Sequence, residues 1–299
     1  MKKSFLIAAL SVLSFSPSFG QDDSYQLPPK AIADLLLAKP TPLVRIDSKA
    51  EILLLIGRNS YPTVEELGQP ELKIAGLRLN PLNFSPSRQS PISSITLQSI
   101  RTGAKMEITG LPKNLAAGAI AWNPSETKIA FAQTEVNGVD LYVIDIATKK
   151  ASRVNSAPLN QVVGNAFTWV DDQTILYKVT THDAAGAPKR PITPKGPTIQ
   201  QNVGKAAPRP TYQDLIKSPF DEYLFEYFTT VQLVKNTNGV EAKIGKPSIV
   251  SSISISPDKQ YFLTRTLNKP FSYLVPAYGF ANTVSITDTK GNLVHTLAS

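Results

Sequence analysis

Residues 252–266, SISISPDKQYFLTRT, alternate small polar and apolar side chains, break at Ser256-Pro257-Asp258-Lys259 and resume with Tyr261, Phe262 and Leu263. Period-two alternation puts successive side chains on opposite faces of a strand, and a Pro-Asp cluster reverses the chain, so the stretch reads as a β-hairpin. Its apolar pair, Ile255 before the turn and Phe262 seven positions later, recurs as Ile46 and Leu53, Trp122 and Ile129, and Trp169 and Leu176. The turns between them, Asp47-Ser48-Lys49, Asn123-Pro124-Ser125, Asp171-Asp172-Gln173 and Ser256-Pro257-Asp258, differ in composition but are all polar and turn-forming.

Each copy is followed by a second hairpin, turning near Gly103, at Thr148-Lys149, at Asn238-Gly239 and at Lys290-Gly291. Two hairpins make a four-stranded antiparallel unit, and repetition of such a unit every roughly 40 to 50 residues is the sequence signature of a β-propeller blade. The predicted fold class is therefore all-β: a partial β-propeller of about four four-stranded blades with short helical insertions. A β-sandwich also uses many short strands, but it gives no reason for a recurring pair of hairpins. One small twisted sheet cannot bury both faces, so neighbouring blades must stack. Trp122 and Trp169 suit that packing as blade-core side chains, each with an indole N–H to satisfy at a blade edge.

Outside the repeat the chain divides into a signal peptide at 1–20, an extended or helical lead-in at 21–42, and the partial propeller at 43–299 with an insertion at about 183–230. The signal peptide is read from Lys2 and Lys3, the apolar run Phe5 to Leu13, and the small-residue exit Ser18-Phe19-Gly20. Its presence predicts export, to the periplasm or beyond the cell. An insertion in the first blade predicts a short helix starting at Pro62, Glu65 and Glu66 and ending at Gly68 to Pro70. The longer insertion begins proline-rich and extended, then predicts one or two short helices with Tyr223, Phe225, Tyr227 and Phe228 on an apolar side.

Composition narrows the picture further. The 299 residues are 42% hydrophobic and 18% charged, which suits a folded core rather than disorder. The chain has no cysteine, so neither a disulfide framework nor a cysteine lipid anchor is available. Its net charge of +8 is scattered rather than gathered on a basic helix or an aromatic stacking motif, so no nucleic-acid partner is expected. No run after the signal is long and apolar enough for a membrane span.

Candidate chemistry is sparse. A G-x-S-x-G nucleophile elbow needs two glycines four positions apart, and no pair of glycines has that spacing. The only histidines are His182 and His295, far apart in sequence, and neither has a setting suited to a catalytic base or a ligand. Adjacent acids at Glu65-Glu66, Asp171-Asp172 and Asp221-Glu222 read as turns or helix starts, with Glu222 and Glu226 one helical turn apart as a possible hold for an amine or cation. No catalytic residue, cofactor or metal is assigned from these, and substrate-binding residues are left unassigned.

Five ordered segments, YQLPPKAIADLLLAKPTP, PELKIAGLRLNP, PITPKGPTIQQN, TYQDLIKSPFDEYLFEYF and KPFSYLVPAYGF, together resemble the amino-terminal half of the glutamyl endopeptidase branch of the prolyl oligopeptidase serine peptidases. The resemblance runs from about residue 25 to the end. It implies a propeller that limits access to an α/β-hydrolase domain carrying Ser, Asp and His, and cleavage after acidic residues, chiefly glutamate. The chain departs from that pattern by stopping at Ser299 after about four blades, without any of the triad positions. The expected function is thus the noncatalytic propeller portion of an exported peptidase, inactive alone, whether the product of a truncated or a split gene. It would gate or orient peptide substrates, acidic ones among them, for a hydrolase segment absent from this chain. Its implied partners are that missing propeller and hydrolase segment and, through the complete enzyme, the peptide. The alternative is a stand-alone propeller that binds a protein or peptide by itself, and a weaker one is a remnant without function.

Overall fold

The computed structural model describes residues 28–189 and 211–299. The expected signal peptide and most of the proline-rich stretch of the long insertion lie outside the described residues. The chain forms two units, Met1–Ala38 and Lys39–Ser299. In the first, Pro29 precedes helix α1 (Lys30–Leu36), which buries no side chain and carries a Lys30–Asp34 ion pair of 2.6 Å across one turn.

The second unit is built from four antiparallel four-stranded blades in chain order, the first two continuous as one eight-stranded sheet. In blade 1, β1 (Leu43–Ile46) pairs with β2 (Ile52–Arg58). The chain then leaves through helix α2 (Val64–Leu67) and a small sheet of β3 (Leu72–Ile74), β4 (Leu77–Asn80) and β5 (Ser85–Pro86). It returns as β6 (Ile92–Ser99), paired with β2, and ends in β7 (Lys105–Met106). Blade 2 is β8 (Ala117–Trp122), β9 (Lys128–Glu135), β10 (Gly138–Asp145) and β11 (Lys150–Arg153), joined to blade 1 by one pairing, Ile92 opposite Ala117. Blade 3 runs β12 (Phe167–Trp169), β13 (Thr174–Thr180), helix α3 (Pro219–Thr229), β14 (Val231–Thr237) and β15 (Val240–Ser248). Blade 4 is β16 (Val250–Ile255), β17 (Tyr261–Leu267), β18 (Asn282–Asp288) and β19 (Leu293–Ala298), with a 3₁₀ turn at Ala277–Gly279 between its middle strands. The four blades read from the repeated hairpins are all present.

The first hairpin of each blade explains why such different sequences make the same turn. In three copies the residue after the first strand uses its side chain as a backbone substitute. Asp47, Asn123 and Ser256 accept from the N–H of Ile52 at 2.7 Å, Lys128 at 2.8 Å and Tyr261 at 2.9 Å. Three residues into each turn the chain becomes left-handed, at Ala50 (φ 54°), Glu126 (φ 56°) and Lys259 (φ 62°). The pairs Ile46–Leu53, Trp122–Ile129 and Ile255–Phe262 then face each other as expected. The third copy differs from the sequence reading: Trp169 lies opposite Ile175, and Leu176 faces Thr168. There Asp171 caps Gln173 and Thr174, both at 2.8 Å, and closes a turn one residue shorter with no left-handed residue in it.

Cores lie between blades, and strand alternation supplies them. Along β9, Ile129 and Phe131 pack with Leu54, Ile56 and Leu97 of blade 1, whereas Ala130 and Ala132 pack with Phe167, Ile175 and Tyr177 of blade 3. Along β13 the odd positions join that second core, and Leu176 joins Leu233, Ile244 and Phe262 in a third core against blade 4. Both faces of a central blade are thereby hidden, which is the reason such sheets must stack.

A fourth core is made by the insertions. Those of blades 1, 3 and 4 all connect the second strand of a blade to the third, so they emerge at the same end of the meander. Phe84, Phe225, Phe228, Phe271 and Phe280 meet there, with the Phe225 ring centroid 4.9 Å from that of Phe271 and 5.4 Å from that of Phe280. Helix α3 is started by Ser218, whose side chain accepts from Asp221 N–H, and by Pro219 in its first turn. A single helix forms where one or two were expected. Phe225, Tyr227 and Phe228 are buried, but Tyr223 is 54% exposed on the side away from Asp221 and Phe228.

Candidate functional site

The first strands of the blades share an inner surface. Leu43 and Arg45 of β1, Gly118 to Ala121 of β8, and Asn165 and Phe167 at β12 line one cavity of about 790 Å³, with Arg58 at its wall. Asn165 and Phe167 also line a smaller void against Ser251 to Ile253 of β16. The charged side chains on these walls are Arg45, Arg58 and Lys178, and no carboxylate lines either cavity among the described residues. Glycine permits the close approach: a Cβ at Gly164, where φ is 64°, would run into the Ser251 carbonyl. Arg45 is held by donation from Nη1 to the Ile120 carbonyl at 3.1 Å, which ties β1 to β8.

Lys178 is the least expected of these residues. Its place on β13 turns it toward blade 4, where it is 2% exposed. Its Nζ donates to the carbonyls of Val163 and Val250, and no carboxylate pairs with it among the described residues. Burial without a counter-ion pushes the amine down from 10.5 to about 7. Alternation in TILYKVT puts Lys178 on the same strand face as Leu176, but nothing in the local sequence marks this lysine as buried.

The residues singled out from sequence do not assemble. His182 stacks on Tyr227 with ring centroids 4.4 Å apart, and His295 lies on β19 opposite Ile286. Glu66 and Thr63 form a reciprocal capping box at α2, with Glu65 beside it in the first turn. Asp171 caps its own turn, and Asp172 reaches back to blade 2, accepting from Ser125 N–H at 2.7 Å and from Asn123 at 3.2 Å. The hydrogen bonds from Ser125 are the chief cause holding the Asp172 carboxyl below its usual range. Asp221 accepts from Lys217 N–H at 3.0 Å. Glu222 and Glu226 are engaged by the blade 4 insertion: Tyr273 donates to Glu222 at 2.5 Å and is pushed up to about 12 by that bond, while Lys269 pairs with Glu226 at 2.6 Å. The suggested hold for an amine is thus filled from within the chain, by Lys269. Trp169 donates to the Ala121 carbonyl at 3.3 Å across the seam of blades 2 and 3, whereas Trp122 Nε1 is buried without a partner among the described residues. Among the described residues no three His, Asp or Glu side chains converge to hold a metal ion, and no helix is long and apolar enough to cross a membrane.

No protein-family model matches the chain. It is 28% identical over 288 residues to a protein named probable glutamyl endopeptidase, chloroplastic, from Oryza sativa subsp. japonica, covering 91% of this chain and 31% of that protein. A protein of the same name from Arabidopsis thaliana is 28% identical over 305 residues, covering 95% of this chain and 32% of the relative. Among solved structures, Pyrococcus horikoshii acylaminoacyl peptidase is 13% identical, covers 87% of this chain and 32% of its own, and superposes with a TM-score of 0.44. The resemblance to glutamyl endopeptidases therefore holds along nearly the whole chain, which spans about a third of the length of the curated relatives it matches.

Proposed function

We propose that this chain is the noncatalytic β-propeller portion of an exported glutamyl endopeptidase-like serine peptidase, and that it gates or orients peptides for a hydrolase domain outside it. The observation that carries this reading is the alignment of 91% of the chain with about a third of proteins named as glutamyl endopeptidases. A preference for acidic peptides is supported by the larger cavity, whose charged wall residues Arg45 and Arg58 are both cationic. The boundaries 1–20 for a signal, 21–42 for a lead-in and 43–299 for the propeller belong to the same proposal, as does export, which rests on Lys2, Lys3 and the Phe5 to Leu13 run.

The test is a chimera in which this chain replaces the matching third of an active plant relative, assayed on a chromogenic peptide with glutamate before the cleaved bond and on its glutamine analogue. The chimera is expected to hydrolyse the glutamate peptide, and the isolated chain neither. A folded chimera without turnover, or turnover by the chain alone, would overturn the reading.

A further inference from the structure

Blades 3 and 4 enclose a cavity of about 160 Å³ at their inner seam. Thr168, Leu176 and Lys178 line it from blade 3 and Val250 and Ile253 from blade 4, with the exposed Gly164 and Asn165 at its mouth. Register explains the set. Thr168 on β12 stands opposite Leu176, and Lys178 lies two residues further along β13, so all three side chains share the face turned to blade 4.

The amine reaches this cavity. A Cβ added at Gly164 would lie 3.6 Å from Lys178 Nζ, which puts the charged end beside that wall. Nζ donates to the Val163 carbonyl and, at 3.5 Å, only weakly to that of Val250. An ammonium has three N–H donors, so at least one remains for a ligand. Carbonyls supply dipoles but no countercharge, and burial alone shifts this amine, with no charged neighbour contributing. On β12, β14, β16 and β17, which pack around it, Lys235 is the one titratable side chain facing the seam among the described residues, and it stands opposite Leu176 rather than Lys178. Tyr177, also at the cavity wall, turns its hydroxyl to the other face of the blade and donates to Glu241. A buried cation so placed gains when one anion joins it.

Size and lining choose among anions. The cavity holds the equivalent of roughly five waters, more than a halide ion fills. Its walls combine the Thr168 hydroxyl with apolar Leu176, Val250 and Ile253, and its single cation matches a single negative charge. We propose that this seam cavity binds one free short-chain monocarboxylate, its carboxylate on the Lys178 ammonium and its hydrocarbon tail against Leu176, Val250 and Ile253. The site lies wholly within this chain and needs no hydrolase domain, so it goes beyond the peptidase reading.

Calorimetric titration of the full chain with butyrate, with its neutral amide butyramide and with sodium chloride tests this. Only the ammonium form pairs with a carboxylate, and the fraction of Lys178 in that form falls about tenfold between pH 6 and pH 8. Butyrate should therefore bind at pH 6 and about tenfold more weakly at pH 8. At pH 8 it should also take up a proton, read as a heat that changes with the ionisation enthalpy of the buffer. Butyramide should bind roughly tenfold more weakly than butyrate at pH 6, and Lys178→Met should weaken butyrate by a similar factor. The pH series needs only the wild-type chain, so the test stays decisive if K178M fails to fold. No butyrate binding, equal affinity at pH 6 and 8, equal affinity of the amide, or displacement of butyrate by equimolar chloride overturns the proposal. Peptidase turnover is not read, so failure here leaves the proposed function standing, and failure of the chimera leaves this site standing.

Discussion

Lys178 couples stability to pH in a direction that can be worked out. The unfolded chain holds this proton up to the ordinary 10.5, whereas the folded chain releases it near 7. Between those values the unfolded state binds more protons, so stability climbs with pH, by up to about 1.4 kcal/mol per pH unit. Below 7 both states are protonated, and the contribution is flat at its least favourable. Lys178→Met should remove this slope. Urea unfolding at pH 7, 8 and 9 is expected to show wild type gaining on K178M by about 2 kcal/mol over the series, and parallel curves would refute the shifted amine. At this scale sequence and structure agree unevenly. The short helix starting at Pro62, Glu65 and Glu66 was legible because its signals are local, although the Thr63–Glu66 capping box that starts it was not read from the sequence. The fate of Glu226 was not, since its partner Lys269 is 43 residues away.

Among elements, the hairpins were readable from alternation and turn chemistry, and the insertions only in part. Helix α3 was expected from its aromatic run, but its Ser218-Pro219 start and its role come from the structure. Segments 70–81, 211–228 and 269–280, three of those that carried the family resemblance, converge in one core. Ile74, Phe225, Phe271 and Phe280 pack there, and the Ala277 N–H donates to the Ala75 carbonyl at 2.8 Å. That convergence ties blade 1 to blade 4 through their insertions, beyond what blade stacking supplies. Phe225 is fully buried at its centre. Phe225→Ala should therefore cost about 3 to 5 kcal/mol by chemical denaturation, while Tyr223→Ala on the exposed side of the same helix should cost under about 0.5 kcal/mol. Equal losses would mean that the insertions do not form a shared core.

For the whole molecule, the outer faces of the first and last blades stand apart from the rest. On β1, Val44 is 50% and Ile46 58% exposed, and on β17 Tyr261 and Leu263 are exposed as well. These side chains belong to no described core, whereas the interior blades bury both faces. Apolar sheet faces of this kind favour association with a further blade or a second copy. The purified chain should accordingly bind a hydrophobic dye and show concentration-dependent association by sedimentation. Val44→Thr with Ile46→Thr should reduce both, and an unchanged monomer that ignores the dye would argue that these faces are inert.

The sequence by itself determined the strand repeat, the turns that punctuate it and the family likeness. Each of these depends on residues adjacent in the chain: alternation follows from the strand's period of two, and a cap needs only its own turn. Tertiary structure alone decided the shorter third turn, the core built by distant insertions, and the burial of Lys178 between two blades. Those outcomes depend on which surfaces meet when sheets stack, and burial and charge pairing are properties of that meeting rather than of the residue type.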